Sequence, residues 1–195
     1  MMDRGSFVVP KLFLGLAAVA ALLVLRADCA SVGGHSSEGS VPSSMPAAPP
    51  QPGSSERFLT AHNQARAAVA VGPLCWNPKL ASYAALLAAQ QRRQPASCQL
   101  ADLSLSPYGS NQAVANFLAP PAALVGSWVD GGRRYYNHRD NSCAARHGNQ
   151  CAAYTQVVWR KTAEVGCGSA NCGKDGALTI CLYFPRGNVR GESPF

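Results

Sequence analysis

The chain has 195 residues, and its 17 Lys and Arg exceed its 10 Asp and Glu, which gives a formal net charge of +7. That length allows one compact domain with extensions and argues against two full domains. A hydrophobic content of 47% with 14% charged residues excludes a wholly disordered chain. The basic residues are scattered and do not form a dense face with interleaved aromatic residues, so nucleic acid is not an expected partner.

The first 30 residues have the order of a secretory signal peptide. Arg4 and Lys11 precede an uninterrupted apolar run of 14 residues, and the small residues Ala27 and Ala30 follow it. The run is shorter than the roughly 20 residues of a membrane span. We therefore expect residues 1–30 to be removed on export, with an uncleaved signal anchor as the alternative. No later stretch reaches membrane-spanning length.

Residues 31–55 are rich in Ser, Pro and Gly and hold almost no large apolar side chains. Such a segment cannot bury enough surface to offset its ordering entropy, so we expect a flexible linker. The Pro-rich piece 42–52 has a docking ligand as its alternative role. The folded domain is then expected over residues 56–195.

Helix signals dominate the first half of this domain. A first helix is predicted over 56–71, capped by Ser54 or Ser55, and a second begins at Asn77 as N-cap and Pro78 as first residue. The stripe expected to be buried on the second helix is Leu80, Tyr83, Ala84 and Leu87. Two further helices are predicted over 112–118, ending at Pro120-Pro121, and over 122–129, ending at Gly131-Gly132.

Strand signals follow in the second half. Aromatic and β-branched residues predict strands over 154–159 and 177–184, and a weaker strand over 164–170. Helices followed by strands favour a layered α+β domain over a parallel doubly wound one.

Six cysteines of the domain form an even set, as expected for three disulfides in an exported protein. They are Cys98, Cys143, Cys151, Cys167, Cys172 and Cys181. No CxxC pair is present among them, which argues against a zinc cluster, but spacing alone does not choose the pairing. Cys75 remains as an odd thiol, read either as a buried small hydrophobe or as an unpaired reactive group that could link two copies.

Four blocks of sequence carry a family resemblance: 61–66 (AHNQAR), 71–76 (VGPLCW), 107–109 (PYG) and 154–160 (YTQVVWR). In this order they resemble the CAP superfamily, and within it the plant pathogenesis-related class 1 branch. The resemblance implies an α-β-α sandwich, with a small antiparallel sheet between helical layers and three disulfides. It also implies the pairs Cys98–Cys172, Cys143–Cys151 and Cys167–Cys181, and a protein of the plant extracellular space, the apoplast.

The family's cleft can hold a divalent metal on two His and two Glu. The corresponding positions here carry Leu103, Ser110, Gly131 and Ala153, so neither a metal nor another cofactor is expected. Composition supports this independently of alignment, because no His lies between His62 and His138 and no Glu between Glu56 and Glu164.

The remaining acidic and histidine residues do not predict a metal or catalytic site elsewhere. Asp130 could offer one carboxylate to the cleft, and His138 with His147 and Asp140 could form a displaced metal pair, but no predicted rigid element holds these groups together. No nucleophile elbow or phosphate loop occurs. The protein is therefore expected to be non-enzymatic. His62 is expected to make a structural hydrogen bond.

Two functions remain. The resemblance implies that the chain could bind a sterol or other lipid in an apolar crevice, or act against a pathogen effector, and the Pro-broken apolar stretch 117–125 is a candidate groove wall, with plain core as its alternative. The second function is a peptide precursor: cleavage between Phe184 and Pro185 would release residues 185–195 as a signal for a receptor. Leu182, Phe184 and Phe195 depart from the family pattern for such a peptide.

Overall fold

The computed structural model describes residues 53–92, 98–147 and 149–195. The predicted signal peptide and all but the last three residues of the predicted linker lie outside these ranges. Within the described residues, no helix combines the length and the apolar character needed to cross a membrane.

The described chain forms four α-helices, six strands and one short 3₁₀-helix. The helices are α1 (Ser54–Ala67), α2 (Pro78–Arg92), α3 (Pro121–Arg133) and α4 (Asn149–Val157), and the 3₁₀ turn covers Gly173–Asp175. The strands are β1 (Cys75–Trp76), β2 (Gly109–Ala115), β3 (Tyr136–Asn137), β4 (Ser142–Cys143), β5 (Glu164–Asn171) and β6 (Ala177–Phe184).

Four strands form one sheet in the order β1-β5-β6-β2. The β5–β6 and β2–β6 pairs are antiparallel, and the short β1 lies parallel to β5. Strands β3 and β4 form a separate hairpin. The expected small sheet is therefore present, with one parallel pair added at its edge.

Alternating side chains of β6 divide the core into two layers. Ile180 and Leu182 pack with α2, whereas Cys181 and Tyr183 pack with residues of α1, α3 and α4. The sheet thus lies between one helix and three helices. The α-β-α sandwich implied by the family resemblance is confirmed.

The starts of the first two helices follow different rules. Helix α2 begins as predicted, because the Asn77 side-chain oxygen accepts hydrogen bonds from the backbone N–H groups of Lys79 and Leu80. Helix α1 begins at Ser54 with Gly53 as N-cap and no side-chain cap, so the predicted Ser cap is wrong. On α2 the buried residues are Leu80, Ala84 and Ala88, while Tyr83 is 43% exposed and not part of a buried stripe.

Two predictions of secondary structure are wrong in type. The segment 112–118 falls mostly in strand β2, because its residues pair one to one with β6. The segment 154–159 falls mostly in helix α4, where Tyr154, Thr155, Gln156 and Val157 are all buried. A run of consecutive buried residues has no amphipathic period, so the aromatic and β-branched residues of this half of the helix resemble a strand. The predictions of β5 and β6 are confirmed.

Helix α3 continues through the glycines that were expected to end it. It runs to Arg133, and Gly132 is buried against α4. A Cβ at Gly132 would meet the backbone carbonyl of Gln150 and the Cβ of Tyr154. The glycine therefore allows close packing of two helices instead of ending one of them.

A similar close approach occurs on the other face of the sheet. Gly166 and Gly168 of β5 lie directly under α2, and a Cβ at either would meet backbone atoms of Ala81 or Ala85. Helix α2 consequently rests on the main chain of the strand.

Three disulfides join described residues. They pair Cys98 with Cys172, Cys143 with Cys151, and Cys167 with Cys181, which is the pairing that the family resemblance implies. The expectation for Cys75 is wrong. Cys75 is itself disulfide-bonded, and the one remaining cysteine of the sequence, Cys29, lies outside the described residues.

Candidate functional site

A cleft of about 390 Å³ opens between β2, α3 and α4. Three of the four positions that correspond to the family's metal ligands line it: Ser110, Gly131 and Ala153. The fourth, Leu103, packs instead against the core cluster on the α2 side. The volume falls within the range of about 300–1,000 Å³ that is usual for small-ligand sites.

The cleft has a neutral polar lining. Besides Leu100, Trp128 and Ala152, its described walls carry the amides and hydroxyls of Ser110, Asn111, Gln112, Ser127, Asn149, Gln150 and Asn188. None of these side chains ionises near neutral pH. Asp130, the carboxylate considered for this site, is exposed outside the cleft and lies beside Arg133 and Arg134.

A buried hydrogen-bonded chain lies beneath the cleft. His62 Nδ1 donates to the Phe58 carbonyl (2.8 Å), so Nε2 accepts from the Tyr183 hydroxyl (2.8 Å). The amide of Asn111 donates both to the Tyr183 oxygen (3.2 Å) and to the Ala153 carbonyl (2.9 Å). The structural role expected for His62 is thus visible, and the chain of bonds connects α1, β6, β2 and α4.

Burial sets the protonation of this chain. It lowers the pKa of His62 to about 4, against the partial opposing effect of the bond to Phe58. Burial likewise raises the pKa of the Tyr183 hydroxyl. Both groups are therefore neutral over the physiological range, and they hold the floor of the cleft in position.

A second buried group, Arg66, anchors the end of α4. Its guanidinium donates to the carbonyls of Gly72 (2.7 Å), Val157 (3.1 Å), Trp159 (2.8 Å) and Thr162 (3.0 Å). Burial lowers the pKa of Arg66 to about 10, so it stays charged at neutral pH. Four carbonyls in place of a carboxylate therefore stabilise this cation.

The displaced histidine pair does not come together as a metal site. The ring of His138 stacks on Phe195, with centroids 4.5 Å apart and planes 8° from parallel. Across residues 53–92, 98–147 and 149–195, no group of three or more His, Cys, Asp or Glu side chains is arranged to hold an ion.

The candidate groove wall 117–125 divides into two parts. Leu124 and Val125 belong to the buried face of α3, so this part of the stretch is hydrophobic core and not a groove wall. Phe117 and Leu118 are 65% and 57% exposed in the loop before α3, next to Val114 at 45%. We call Val114, Phe117 and Leu118 the apolar loop patch.

The last eleven residues lie against the domain and are held there. Gly187 N–H donates to the Gln156 side chain (3.0 Å), and the Asn188 amide bridges the Thr155 hydroxyl (2.6 Å) and the Ala152 carbonyl (2.9 Å). Further on, Arg160 N–H donates to the carbonyl of the buried Pro194 (2.7 Å). Phe184 and Pro185, the candidate cleavage site, are exposed at the end of β6.

Two features of the site were not predicted from the sequence. Asn188 borders the cleft although it belongs to the carboxyl-terminal segment, and Asn149 with Gln150 borders it from the first turn of α4. The Gly-Asn of the tail could have pointed to the first, because that block is shared with the family pattern. Nothing in the local sequence pointed to the second, since no element was predicted over Asn149 and Gln150 and the second half of the helix was predicted as a strand.

The sheet has one helix on one face and three on the other, and the cleft lies at β2. This three-layer α-β-α domain is of the kind found in solved CAP structures. The venom allergen-like protein 4 of Schistosoma mansoni matches with a TM-score of 0.59 over 74% of this chain and 95% of that protein, at 23% identity. BmVAL-1 also matches with a TM-score of 0.59, over 77% of this chain and 85% of its own. These likenesses show the fold.

The family follows from the sequence comparisons. Residues 59–184 match the family model of the cysteine-rich secretory protein (CAP) family. The STS14 protein of Solanum tuberosum is 44% identical over 72% of this chain, which spans 64% of that protein's length. Pathogenesis-related protein 1A of Nicotiana tabacum is 43% identical over 73% of this chain and 81% of its own. The chain belongs to the CAP family, and these relatives place it among the plant pathogenesis-related proteins.

Proposed function

We propose that this protein is a secreted, non-enzymatic defence protein that binds a sterol or another lipid through the apolar loop patch. The observation that carries the proposal is the exposure of two consecutive large apolar residues, Phe117 and Leu118, at 65% and 57%. Exposed large apolar side chains that cluster mark binding surfaces more often than single ones do.

The position of the patch suits a ligand that inserts an apolar body. Val114 is the penultimate residue of strand β2, and Leu124 and Val125 begin the buried face of α3, so the loop between them is fixed by the sheet at one end and by the core at the other. Burying two such side chains against a lipid would contribute about 1.5–3 kcal/mol each. A pathogen effector with an apolar surface is the second partner class that this patch fits.

The chemistry of the cleft supports the non-enzymatic part of the proposal. A general acid or base needs a titratable group within hydrogen-bond reach of the reacting atom. The described side chains lining the cleft are amides, hydroxyls and apolar groups. The buried His62 beneath them has both ring nitrogens engaged.

The lipid proposal is tested by saturable binding of a radiolabelled sterol to the exported protein. The double variant Phe117→Ser, Leu118→Ser is expected to lose at least tenfold in affinity. The matched control is Leu105→Ser, because Leu105 is 97% exposed but lies outside the patch. Absence of saturable uptake from a panel of sterols, fatty acids and phospholipids would overturn the proposal, and so would equal losses in the patch variant and the control.

A peptide precursor is the alternative function, favoured by the exposure of Phe184 (48%) and Pro185 at the end of β6. A protease could reach this bond from solvent. Mass spectrometry of secreted fluid, under defence-inducing conditions, tests for release of the fragment 185–195, the proposed signal for a receptor. Persistent absence of the fragment would count against a precursor role.

A further inference from the structure

The outer edge of strand β2 is open. The sheet order ends at β2, and within the described residues no strand pairs with its outer side. Every second residue of an edge strand directs its N–H and C=O groups outward, where they form a template for another strand. These outward groups of β2 make no backbone hydrogen bond to other described residues.

The cleft follows this open edge. Ser110, Asn111 and Gln112 are consecutive in β2, and all three line the cleft. Since successive side chains point to opposite faces of a sheet, a cavity bordered by three residues in a row contacts the main chain of the strand or passes around its edge. About 10 Å of strand edge is thereby presented to the cleft, enough for a peptide segment of roughly three residues.

Strand β2 itself carries none of the sequence features that usually block pairing at an edge, and the neighbouring segment is held to it through the Gln112 side chain, which bonds both backbone groups of Ala101 (2.9 Å each). Natural edges carry charged residues, proline or a bulge that prevents pairing. The strand Gly109–Ala115 (GSNQAVA) has neither charge nor proline, and its seven residues pair with β6 without a bulge. The edge is therefore competent to accept a further strand.

The side chains lost from the family's metal positions leave room beside this edge. Gly131 lines the cleft, and a Cβ built there meets no atom within 4 Å. Ala153 and Ser110 are likewise smaller than the His and Glu that the family pattern places there. Two neutral groups on the α4 wall, the side chains of Asn149 and Gln150, make no hydrogen bond to other described residues and are available to a ligand.

We propose that the cleft is a peptide-binding site in which an extended, uncharged segment of another protein adds as a strand to the open edge of β2. Main-chain hydrogen bonds supply the affinity, and the neutral walls supply selection against charged side chains, because a buried unpaired charge is costly. This site is separate from the apolar loop patch and does not depend on the lipid proposal.

The test uses the whole exported protein and an array of uncharged, end-capped synthetic heptapeptides. We expect saturable binding of a subset, and we expect Gly131→Leu to weaken the best binder at least tenfold by filling the cleft. Gly126→Leu is the matched control. Gly126 lies in the same helix, a Cβ there also meets nothing within 4 Å, and it does not line the cleft.

A second measurement identifies strand addition itself. Two versions of the best peptide carry N-methyl groups on alternate residues, one on the odd and one on the even positions. Strand pairing predicts that one version loses at least tenfold in affinity and the other stays within about twofold, because alternate N–H groups face the edge. Equal behaviour of the two versions overturns the proposal, even if Gly131→Leu fails to fold.

Two further outcomes also overturn it. One is the absence of saturable binding by any peptide of the array. The other is binding of a neutral oligosaccharide, chitohexaose, with no binding of the peptides. If Gly131→Leu weakens that binding, the cleft is a glycan site. Neither outcome affects sterol uptake through the loop patch, so failure of the two proposals is distinguishable.

Discussion

The ring of Phe195, the last residue of the chain, lies flat on the imidazole of His138 in the loop between β3 and β4, with centroids 4.5 Å apart. Tyr136 meets the same Phe195 ring edge-on at 6.2 Å. The carboxyl terminus is therefore fastened to the β3–β4 hairpin. Cleavage after Phe184 would cut one bond and leave the fragment held by these rings and by the hydrogen bonds of Gly187, Asn188 and Pro194.

Replacing this terminal ring should free the tail. Phe195→Ala removes two aromatic contacts worth about 1 kcal/mol, so roughly five times more of the chain should have its tail detached. Limited proteolysis followed by mass spectrometry should show a correspondingly faster loss of tail fragments. Val189→Ala serves as control, since Val189 is 39% exposed on the same segment. Equal cleavage rates in both variants would show that the ring does not hold the tail.

Stability should fall with acidification because of His62. The pKa of this group is 6.5 in an unfolded chain and about 4 in the folded protein, where burial disfavours the charged ring. Between these two pH values the unfolded state binds more protons than the folded state. The free energy of unfolding therefore has its full value above about pH 6.5 and falls by about 3 kcal/mol as the pH decreases to 4.

Urea unfolding midpoints measured from pH 4 to 7 in the parent and in His62→Gln give the test. Glutamine does not titrate, so the free energy of unfolding of the His62→Gln variant should vary less between pH 4 and 7 than that of the parent. This holds whatever the absolute stability of the variant. An unchanged pH dependence in the variant would assign the effect to other groups.

Arg66 should not tolerate replacement by lysine. An ammonium cannot reach four carbonyls that the planar guanidinium contacts at once. Leaving two or more buried acceptors unsatisfied costs about 1–3 kcal/mol each. We expect Arg66→Lys to lower the free energy of unfolding by at least 2 kcal/mol in denaturant titrations. Arg57→Lys, on the exposed side of the same helix, should be nearly neutral; similar losses in the two variants would refute the role of the four carbonyls.

The disulfides should differ in their contribution to stability. Cys98–Cys172 closes a separation of 74 residues, and Cys143–Cys151 one of 8 residues. The chain-entropy account gives about 4 and about 2–3 kcal/mol, respectively. Replacing both cysteines of a pair by alanine should therefore be more damaging for the first pair in denaturant titrations. The reverse order would mean that native packing, not loop closure, determines the effect.

Sequence patterns succeeded where one physical signal dominated. The Asn77-Pro78 start of α2 was predicted because the cap is local, and β6 because every residue of its run is apolar, aromatic or β-branched. They failed for α4 and β2. The buried residues 154–157 have a strand-like composition, and their helix is stabilised by surroundings that the local sequence does not contain. Only pairing with β6 makes residues 112–115 a strand.

The cleft was predicted in part. The family resemblance identified Ser110, Gly131 and Ala153, which border one cavity, but also Leu103, which lies in the core cluster on the α2 side of the sheet. Leu100 and Asn188 line the cleft through the tertiary approach of distant segments. No spacing rule of helices or strands reports such an approach. The bonding of Cys75 was missed because the even set of six cysteines left it as an odd thiol.

Helix α2 packs directly on the main chain at Gly166 and Gly168. The two sides of the sandwich therefore differ in how well they tolerate amino-acid substitutions. On the α2 side the distance between layers is set by main-chain atoms, so even a methyl group on either glycine would act as a wedge and displace the helix. On the opposite side the layers meet through large side chains such as Phe58, Leu124 and Trp128, which can be exchanged for others of similar volume. Variation on the α2 side should therefore be confined to the outward residues of that helix, whereas on the three-helix side the large apolar residues can vary and the buried Arg66 and Gly132 cannot.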